Sequence, residues 1–283
     1  MKKLFLFCFL FIQTIIFSQE KKDSIPKRWN INGRLTFLFN QSAFSNWKSG
    51  GENTIATDIN VNYDFNYKKN NLSWDNRIIT NYGISFSKEN GYRKTGDRFE
   101  YNSLLGLKTE KSWYLSFFTN FITQYSKGYN YKKEDTVELI SSFFSPAYLS
   151  FGPGMLWKKS DNSKINIAPA TSRFTFVSDK FSGKYGVDLG KNTSFSLGFN
   201  LSAYFKFSIM ENIKMENIIN LYSDYLNKPQ NVDLDYLINF FINVNKYITM
   251  NLRLHTLIDD NASSRIQFSE ILGFGLKYTF HKK

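Results

Sequence analysis

The sequence predicts an all-β protein, a closed antiparallel transmembrane β-barrel of about twelve strands. Three observations indicate it: long segments of alternating apolar and polar residues, connections that alternate in length, and an N-terminal export signal. The clearest strand, residues 194–209, reads SFSLGFNLSAYFKFSI, with an apolar residue at every odd position. Successive side chains of a strand point to opposite faces, so one face of this strand is apolar. Its length exceeds the ~5–6 residues usual in soluble proteins and suits a membrane-spanning wall.

The N-terminus has the pattern of a secretory signal. Lys2 and Lys3 precede an apolar segment, residues 4–17, and Ser18 is a small residue at a plausible cleavage point. A short membrane anchor is the alternative, but the segment is short for a span and contains Gln13. The predicted organisation is a cleaved signal peptide at 1–18, a short periplasmic lead at 19–28 and an outer-membrane barrel domain at 29–283.

The composition excludes several classes of function. Cys8 is the single cysteine and lies in the signal segment, so the mature chain has no thiol for disulfides or metal ligation. With two histidines and no phosphate-binding glycine loop, neither a zinc signature nor a cofactor site is predicted. The net charge of +12 favours anionic solutes or an anionic membrane surface. Nucleic acid is not an expected partner, because an exported chain rarely meets it and no basic helix is present.

Strand-like segments follow one another from residue 31 to residue 280. Four connections between them, at 68–71, 110–112, 210–212 and 243–246, are short enough for tight hairpins. The predicted strands are 31–39, 54–67, 72–86, 98–109, 113–126, 143–158, 164–177, 194–209, 213–223, 232–243, 247–257 and 266–280. The longer connections are 40–53, 87–97, 127–142, 178–193, 225–231 and 258–265. Short periplasmic turns alternating with long outer loops are typical of bacterial outer-membrane barrels, and an even strand number returns both termini to the periplasm.

Local signals refine this pattern. Pro169 breaks the alternation of the seventh strand, which predicts a bulge or an irregular stretch. Gly50-Gly51 and Gly152-Pro153-Gly154 are interpreted as turns or bulges. Four tryptophans lie beside the first strand or a short turn and predict an aromatic girdle at the periplasmic interface, whereas Trp47 falls in the first long loop. The girdle residues are Trp29, Trp74, Trp113 and Trp157.

The last strand ends almost at the C-terminus, with Tyr278 and Phe280 on its apolar face. This ending resembles the terminal signal by which bacterial barrel-assembly machinery recognises its clients, and an ordinary last strand is the alternative interpretation.

A sheet edge exposed to lipid leaves unpaired backbone groups at several kcal/mol each, so a sheet in the membrane must close. Twelve strands enclose a small lumen, which side chains fill or which leaves a narrow channel. A soluble β-sandwich or lipocalin is the competing fold, with shorter strands and its apolar side inside. The candidate lumen-facing residues are Asp58, Asp64, Asp75, Arg77, Glu100, Lys206, Asp233, Asp235, Arg253 and His255.

No catalytic residue is predicted, and the chain is interpreted as a non-enzyme. Outer-membrane phospholipases use a Ser/His/Asn site on a barrel of this size, which makes His255 the residue to weigh. It shares the predicted lumen side with Asn251 and Arg253, whereas a lipase needs a lipid-facing site. Asp259-Asp260 are interpreted as solvated acids of an outer loop rather than a cation site.

Several short motifs follow one another along the chain: Asn46-Trp47 with Gly50-Gly51-Glu52-Asn53, Thr123-Gln124-Tyr125 with Gly128-Tyr129, Ser145-Pro146-Ala147-Tyr148, Ala168-Pro169, Tyr185-Gly186-Val187-Asp188, Asn245-Lys246-Tyr247 and residues 267–280. In their order and spacing they resemble a Bacteroidota family of outer-membrane β-barrels of unknown function, domain of unknown function 3078. The resemblance implies the fold and the location, and it brings no catalytic residue or ligand.

The expected function is porin-like passage of small solutes, anions among them, across the outer membrane. The alternative is a structural or accessory subunit of an envelope assembly with a plugged lumen, and a lipase is the third interpretation. The expected partners are outer-membrane lipid, the barrel-assembly machinery during biogenesis and, for an accessory subunit, other envelope proteins.

Overall fold

The computed structural model describes residues 28–44, 52–131, 137–261 and 263–282, with no side-chain description for residues 263 and 264. The predicted signal peptide, all of the periplasmic lead except Arg28, the Gly50-Gly51 turn and Trp47 lie outside the described residues.

Twelve strands form a closed barrel in which every neighbouring pair is antiparallel. Two further short strands, β6 and β7, form a separate hairpin between β5 and β8. The strands are β1 (Trp29–Ser42), β2 (Thr54–Lys69), β3 (Leu72–Ser87), β4 (Gly91–Glu110), β5 (Trp113–Thr123), β6 (Gly128–Asn130), β7 (Glu138–Ser141), β8 (Ala147–Ser160), β9 (Ser163–Phe176), β10 (Thr193–Met210), β11 (Ile213–Asp224), β12 (Val232–Asn243), β13 (Ile248–Asp259) and β14 (Ser263–Lys282).

The ring closes between the first and the last strand. Ile31 of β1 lies opposite Lys282 of β14, and Phe39 lies opposite Phe274, so the pairing extends over most of β1. The backbone groups along this seam are therefore paired, as a sheet in hydrocarbon requires. The predicted all-β closed antiparallel barrel of twelve strands is confirmed.

The predicted alternation of loop lengths is wrong at two places. Residues 87–97 and 258–265 do not form long loops, because β4 begins at Gly91 and β14 begins at Ser263. The first residues of β4 pair with β3, with Tyr92 opposite Phe86 and Lys94 opposite Ile84. The sequence of these residues does not alternate cleanly between apolar and polar. Backbone pairing between strands does not depend on such alternation, so the pattern does not reveal this part of β4.

The two faces of the wall differ in exposure. On β1, Leu35, Phe37 and Phe39 are 41–45% exposed, whereas Thr36 and Leu38 between them are 1% and 2% exposed. The apolar side chains at the exposed positions therefore point outward, and the side chains between them are buried in the interior. A soluble sandwich or lipocalin buries its apolar face, so neither alternative fits this arrangement. No helix among the described residues is long and apolar enough to cross a membrane.

The predicted irregularity at Pro169 is confirmed. Ala168 pairs with Asn200 and Thr171 pairs with Gly198, so two residues of β9 face one residue of β10. The Thr171 hydroxyl donates to the Ala168 carbonyl across this bulge at 3.0 Å. The bulge crowds β8, where a Cβ atom placed on Gly152 would lie 2.4 Å from the carbonyl oxygen of Ala170. Only glycine fits that approach.

The connection from β9 to β10 has a small core of its own. Val177, Phe181 and Val187 are buried together, with Leu139 of β7 and Tyr185 packed against them. A single turn of 3-10 helix, Asp179–Phe181, carries the central phenylalanine. This connection and the β6–β7 hairpin are joined by the Tyr185 hydroxyl, which donates to the Ile140 carbonyl. Both lie at the end of the barrel opposite the termini, and we call this the outer end.

Candidate functional site

The interior of the barrel is the candidate site, and two arginines cross it. Arg98 of β4 contacts Asp235 of β12 at 2.8 Å, although these strands are six positions apart in the twelve-strand ring. Arg77 of β3 reaches Glu216 of β11 at 3.6 Å over the same separation. Contacts between opposite walls of a ring pass through its lumen. We call these two contacts the Arg98 crossing and the Arg77 crossing.

The Arg98 crossing is the centre of a charge network. The Arg98 guanidinium contacts Glu100 of its own strand at 2.6 Å and Asp235 at 2.8 Å. His255 Nε2 lies 2.8 Å from the second carboxylate oxygen of Asp235. Glu100 also accepts a hydrogen bond from Asn102 at 2.8 Å. Each carboxylate thus has several donors, which offsets the cost of placing charges in a confined interior.

The Arg77 crossing is built in the same way, closer to the termini. Arg77 Nε lies 2.5 Å from Asp64, and the guanidinium stacks 3.9 Å over the Tyr204 ring. The Tyr204 hydroxyl donates to Glu216 at 2.7 Å. Lys206 Nζ lies 3.7 Å from the same carboxylate. Two carboxylates and an aromatic ring therefore fix the position of the Arg77 guanidinium.

Three further ion pairs lie beyond the crossings. At the end with the termini, Asp75 contacts Lys158 at 2.6 Å and Lys164 at 2.9 Å. Towards the outer end, Arg173 contacts Asp233 at 2.6 Å and its guanidinium lies 3.5 Å from the centre of a tyrosine ring, that of Tyr222. The lumen is therefore lined by paired charges of both signs along its length.

Two cavities lie beside the crossings. One has a volume of about 430 Å³ and the other of about 340 Å³. Seven residues line both and lie between them: Ile79, Arg98, Ile122, Gln124, Pro146, Tyr148 and Leu257. The larger cavity, which we call cavity A, reaches Tyr185 and Ile140 at the outer end. The smaller cavity, cavity B, lies beside β1, β2 and β13.

The structure brings all ten predicted lumen residues into contact with other interior side chains. Asp58 accepts a hydrogen bond from Asn81 and lies 3.7 Å from Arg253. The other eight take part in the two crossings or in the flanking ion pairs: Asp64, Asp75, Arg77, Glu100, Lys206, Asp233, Asp235 and His255. His255 thus lies inside, against Asp235, away from the apolar outer face.

Sequence reasoning missed several residues of the site. Lys158 and Lys164 flank a turn, yet both side chains extend inward to Asp75. Glu216 shares its face of β11 with Ile218. An isoleucine on that face makes it hard to recognise as the interior face from the sequence. The alternation of β9 changes face at the bulge, which obscures Arg173. The sequence does contain a signal for Glu216. Tyr204 lies on the polar side of β10 and pairs with Ile218 of β11, and Glu216 is two residues from Ile218 on the same face.

The predicted girdle residues lie at the end of the barrel that carries the termini and the short turns. The rings of Trp29 and Trp74 are 6.0 Å apart, and Trp113 pairs with Trp157 across β5 and β8. Tyr278 is 64% exposed on the outside of β14. Phe280 lies beside it with a ring separation of 6.2 Å. Their roles at a membrane interface and in assembly stay predictions.

Among the described residues, no group of three or more His, Cys, Asp or Glu side chains is arranged to hold a metal ion.

Comparison with solved structures finds barrels of distant sequence. The translocator domain of the autotransporter NalP from Neisseria meningitidis is 9% identical over 91% of this chain and 90% of that one, with a TM-score of 0.36. An outer membrane channel from Pseudomonas putida F1 is 9% identical over 94% of this chain and 100% of that one, with a TM-score of 0.39. The NanC porin is 11% identical over 89% and 100%, also with a TM-score of 0.39. Similarities at this level carry no argument about function.

No curated protein matches the chain significantly. The family model DUF3078, a protein of unknown function, matches residues 39–129. This segment runs from the end of β1 to β6 and includes Arg77, Arg98 and Glu100. The resemblance predicted from the sequence is confirmed: over residues 39–129 this chain matches the family of unknown function DUF3078.

Proposed function

We propose that this chain is an outer-membrane barrel that passes small polar solutes through a narrow lumen. The observation that carries the proposal is a closed wall, apolar outside and polar inside, around an interior that retains cavities of about 430 and 340 Å³. The outward apolar residues match a hydrocarbon environment, and the inward charges match water and solutes. The two crossings are constrictions of the proposed path, because in each a side chain reaches the opposite wall.

The ion pairs limit the charge selectivity of such a path. The net charge of +12 favours anions. At the crossings, however, Arg98 has Glu100 and Asp235 as partners, and Arg77 has Asp64 and Glu216. Since four acids surround these two arginines, the crossings offer no excess positive charge, and we expect a weak anion preference that comes from the barrel ends rather than the constrictions. A reversal potential near zero under a salt gradient is the expected measurement.

A second candidate is a structural or accessory subunit whose lumen is closed. The crossings at two levels favour it, and so does the contact of Tyr185 with the β6–β7 hairpin over the outer end of cavity A. An outer-membrane lipase is not proposed, because His255 contacts Asp235 in the interior and a lipase acts on substrate at the lipid-facing surface.

Conductance in planar lipid bilayers separates the two candidates. For a channel, the wild type gives small current steps, and Arg98→Ala increases the step size because one crossing is removed. Lys180→Ala, in the outer connection from β9 to β10, is the control and is expected to match the wild type. A silent wild type with a conducting Arg98→Ala variant favours the plugged barrel. If neither protein conducts in any salt, the channel proposal is wrong.

The location and the biogenesis are part of the proposal. We propose export with cleavage after Ser18, insertion by the barrel-assembly machinery and lipid contact along the apolar wall. Other envelope proteins are partners under the second candidate, and nucleic acid is not a proposed partner. Membrane fractionation with N-terminal sequencing tests this, with Gln19 as the expected first residue. A chain found in a soluble fraction, or one that keeps residues 1–18, contradicts it.

A further inference from the structure

Four bases lie on one side of the lumen, at the end of the barrel that carries the termini. They are Arg34 of β1, Lys206 of β10, Lys214 of β11 and Lys277 of β14. These strands belong to one half of the ring, the run from β1 through β14 to β10. We call these four residues the basic cluster.

Strand register places the side chains of the cluster inside the barrel. Directly paired residues of antiparallel strands project from the same face of the sheet. Lys214 pairs with Phe241 of β12, which is 5% exposed. Lys277 pairs with Thr36 of β1, which is 1% exposed, and Arg34 is two residues from Thr36 on the same strand. These three bases therefore share the inward face with Phe241 and Thr36.

The Phe241 ring lies at the centre of the cluster. The Arg34 guanidinium lies 4.1 Å from the ring centre, and Lys206 Nζ lies 5.6 Å from it. Lys214 is the direct neighbour of Phe241 on the next strand. One aromatic side chain thus brings together bases from three other strands.

Lys277 reaches the same place from β14. Its Nζ donates to the side-chain oxygen of Asn243 on β12, so the lysine side chain passes over β13. Asn243 lies two residues beyond Phe241 on the same strand face. Arg34 and Lys214 are close enough for their positive charges to act on Lys277. Lys277 is therefore held by a neutral amide between two other cations.

Neutral groups also hold Arg34. Its Nε donates to the Thr36 hydroxyl at 3.4 Å, and its Nη2 donates to the Thr249 hydroxyl at 3.1 Å and to Asn251 at 3.4 Å. Its Nη1 makes no hydrogen bond with any described residue, and it is not one of the unpartnered atoms that are sealed from solvent. The guanidinium is thus fixed in place with one nitrogen that solvent can reach.

The positive charge of the cluster is only partly compensated. Lys206 Nζ lies 3.7 Å from Glu216, and that carboxylate is shared with Arg77 at 3.6 Å. Asp64 is the other acid of the Arg77 crossing. The cluster and Arg77 together place five bases against these two acids, an excess of three positive charges. The members of the cluster with no carboxylate of a described residue within 4.0 Å are Arg34, Lys214 and Lys277.

The other acids at this end do not remove the excess. Asp75 contacts two lysines of its own, Lys158 and Lys164. Glu211, in the turn before β11, is exposed and forms no ion pair with a described residue. An anion can therefore approach the cluster without breaking an existing ion pair.

The donors of the cluster favour an oxyanion. The planar N–H groups of arginine match the oxygens of phosphate or carboxylate, and lysines add charge without a fixed geometry. Because Coulomb energy grows with the charge of the ligand, three excess positive charges favour a divalent anion over a monovalent one. The cluster faces the lumen rather than the apolar outer wall, which favours a soluble anion over a lipid headgroup. Phe241 and Asn251 also line cavity B, so room for the rest of a small solute lies alongside.

We propose that the basic cluster is a binding site for a soluble divalent oxyanion, either inorganic phosphate or the phosphate group of a small solute. The inference rests on the proposed function, because it names the class of solute that the lumen takes at the end with the termini. It also gives a location to the anion preference that we expect from the barrel ends.

Phosphorus NMR of inorganic phosphate, added to the full chain in nonionic detergent, tests the site without requiring conduction. Binding broadens the phosphate resonance. We expect sulfate to reverse this broadening and chloride at the same ionic strength to leave it in place. Lys277→Gln and Lys214→Gln are each expected to weaken the Kd for phosphate roughly three- to tenfold, since each removes one positive charge.

Lys159→Gln is the matched control. Lys159 is exposed and follows Lys158 on β8, and because Lys158 points inward to Asp75, Lys159 lies on the outward face. The substitution removes the same charge at the same end of the barrel, so phosphate binding is expected to stay at the wild-type level. Retention of a compact band in unheated gels verifies that each variant is folded.

Four results overturn the inference: phosphate shows no broadening, chloride displaces it as well as sulfate does, both folded cluster variants bind like the wild type, or Lys159→Gln weakens binding as much as they do. Phosphatidylglycerol added to the micelles distinguishes a lipid headgroup from a soluble ligand. If it displaces phosphate as effectively as sulfate, the site takes a lipid and the proposal of a soluble ligand is wrong.

The two proposals fail separately. Phosphate binding by a protein that never conducts overturns the channel and leaves the site. Conduction without any phosphate binding overturns the site and leaves the channel.

Discussion

Asp75 is the residue on which two lysines of the interior depend. Its carboxylate is 4% exposed and contacts Lys158 of β8 and Lys164 of β9 at 2.6 and 2.9 Å. Removing one partner of a buried ion pair leaves a buried charge uncompensated, which typically costs about 3–5 kcal/mol. We expect Asp75→Asn to lower the free energy of unfolding by about 3 kcal/mol, measured by urea unfolding from lipid vesicles.

Asp161→Asn is the control for this prediction. Asp161 contacts Lys158 at 2.8 Å, but its side chain is 50% exposed at a turn. Exposed pairs contribute about 0–1 kcal/mol, so this variant should unfold close to the wild type. Equal losses for the two substitutions would show that burial of Asp75 has no special weight.

Tyr185 gives the outer connection a dependence on pH. Burial, with the charge of Glu138 as a smaller cause, raises the pKa of the Tyr185 phenol above its usual value. The folded connection thus holds the phenolic proton more tightly than the unfolded chain does. Its stabilising contribution is complete below the usual tyrosine pKa and is lost as the pH rises towards the raised value. Ionisation also removes the hydrogen that the hydroxyl donates to Ile140.

Limited proteolysis of the connection at residues 177–192 measures this effect. We expect cleavage of the wild type to accelerate at alkaline pH. Tyr185→Phe should be cleaved faster than the wild type at neutral pH and should show a smaller alkaline increase. Identical pH profiles for the two proteins would exclude a role for this phenol.

At the scale of elements, the seam between β1 and β14 depends on a close backbone approach. A Cβ atom placed on Gly275 would lie 1.9 Å from the Phe37 carbonyl oxygen and 2.9 Å from the Leu38 Cα. Backbone atoms cannot yield as a flexible side chain can, so the strands would have to separate locally. We expect Gly275→Ala to lower the yield of folded barrel and the unfolding midpoint, measured by refolding into vesicles.

Thr279→Ala serves as the comparison, because Thr279 is exposed on the same strand and pairs with Arg34 of β1 in the regular register. It should refold like the wild type. If Gly275→Ala does so as well, the seam tolerates separation and glycine is not required there.

At the scale of the whole molecule, closure removes every free sheet edge of the barrel, so unfolding has to break the ring as a unit. We expect the intact protein to migrate as a compact band in unheated detergent gels and to shift on heating. Deletion from Ser263 onward removes β14 and leaves β1 and β13 as open edges. That variant should lose the compact band, since exposed edges in lipid are costly and prone to aggregation. A compact band from it would contradict closure by β14.

Which features of the barrel can be predicted from the sequence depends on how far apart in the chain the interacting residues lie. The alternation of apolar and polar residues along β10 or β12 is a local property, because the residues of a single strand determine which of its faces is apolar. The number of strands, their approximate bounds and the inward direction of residues such as Asp58 and Asp235 follow from that alone. The apolar outer wall follows too, since its pattern repeats on strand after strand.

The tertiary structure alone decides which inward residues meet. Arg98 and Asp235 are 137 positions apart in the chain, and the ring closure places them on opposite walls. Their distance is set by strand register and by the diameter of the ring, and neither is encoded in any single segment. The same holds for Arg173, which lies beyond the bulge at Pro169 and meets Asp233 of β12. The sequence by itself determined a wall with a polar interior, whereas closure and register decided where that interior is crossed and where it stays open.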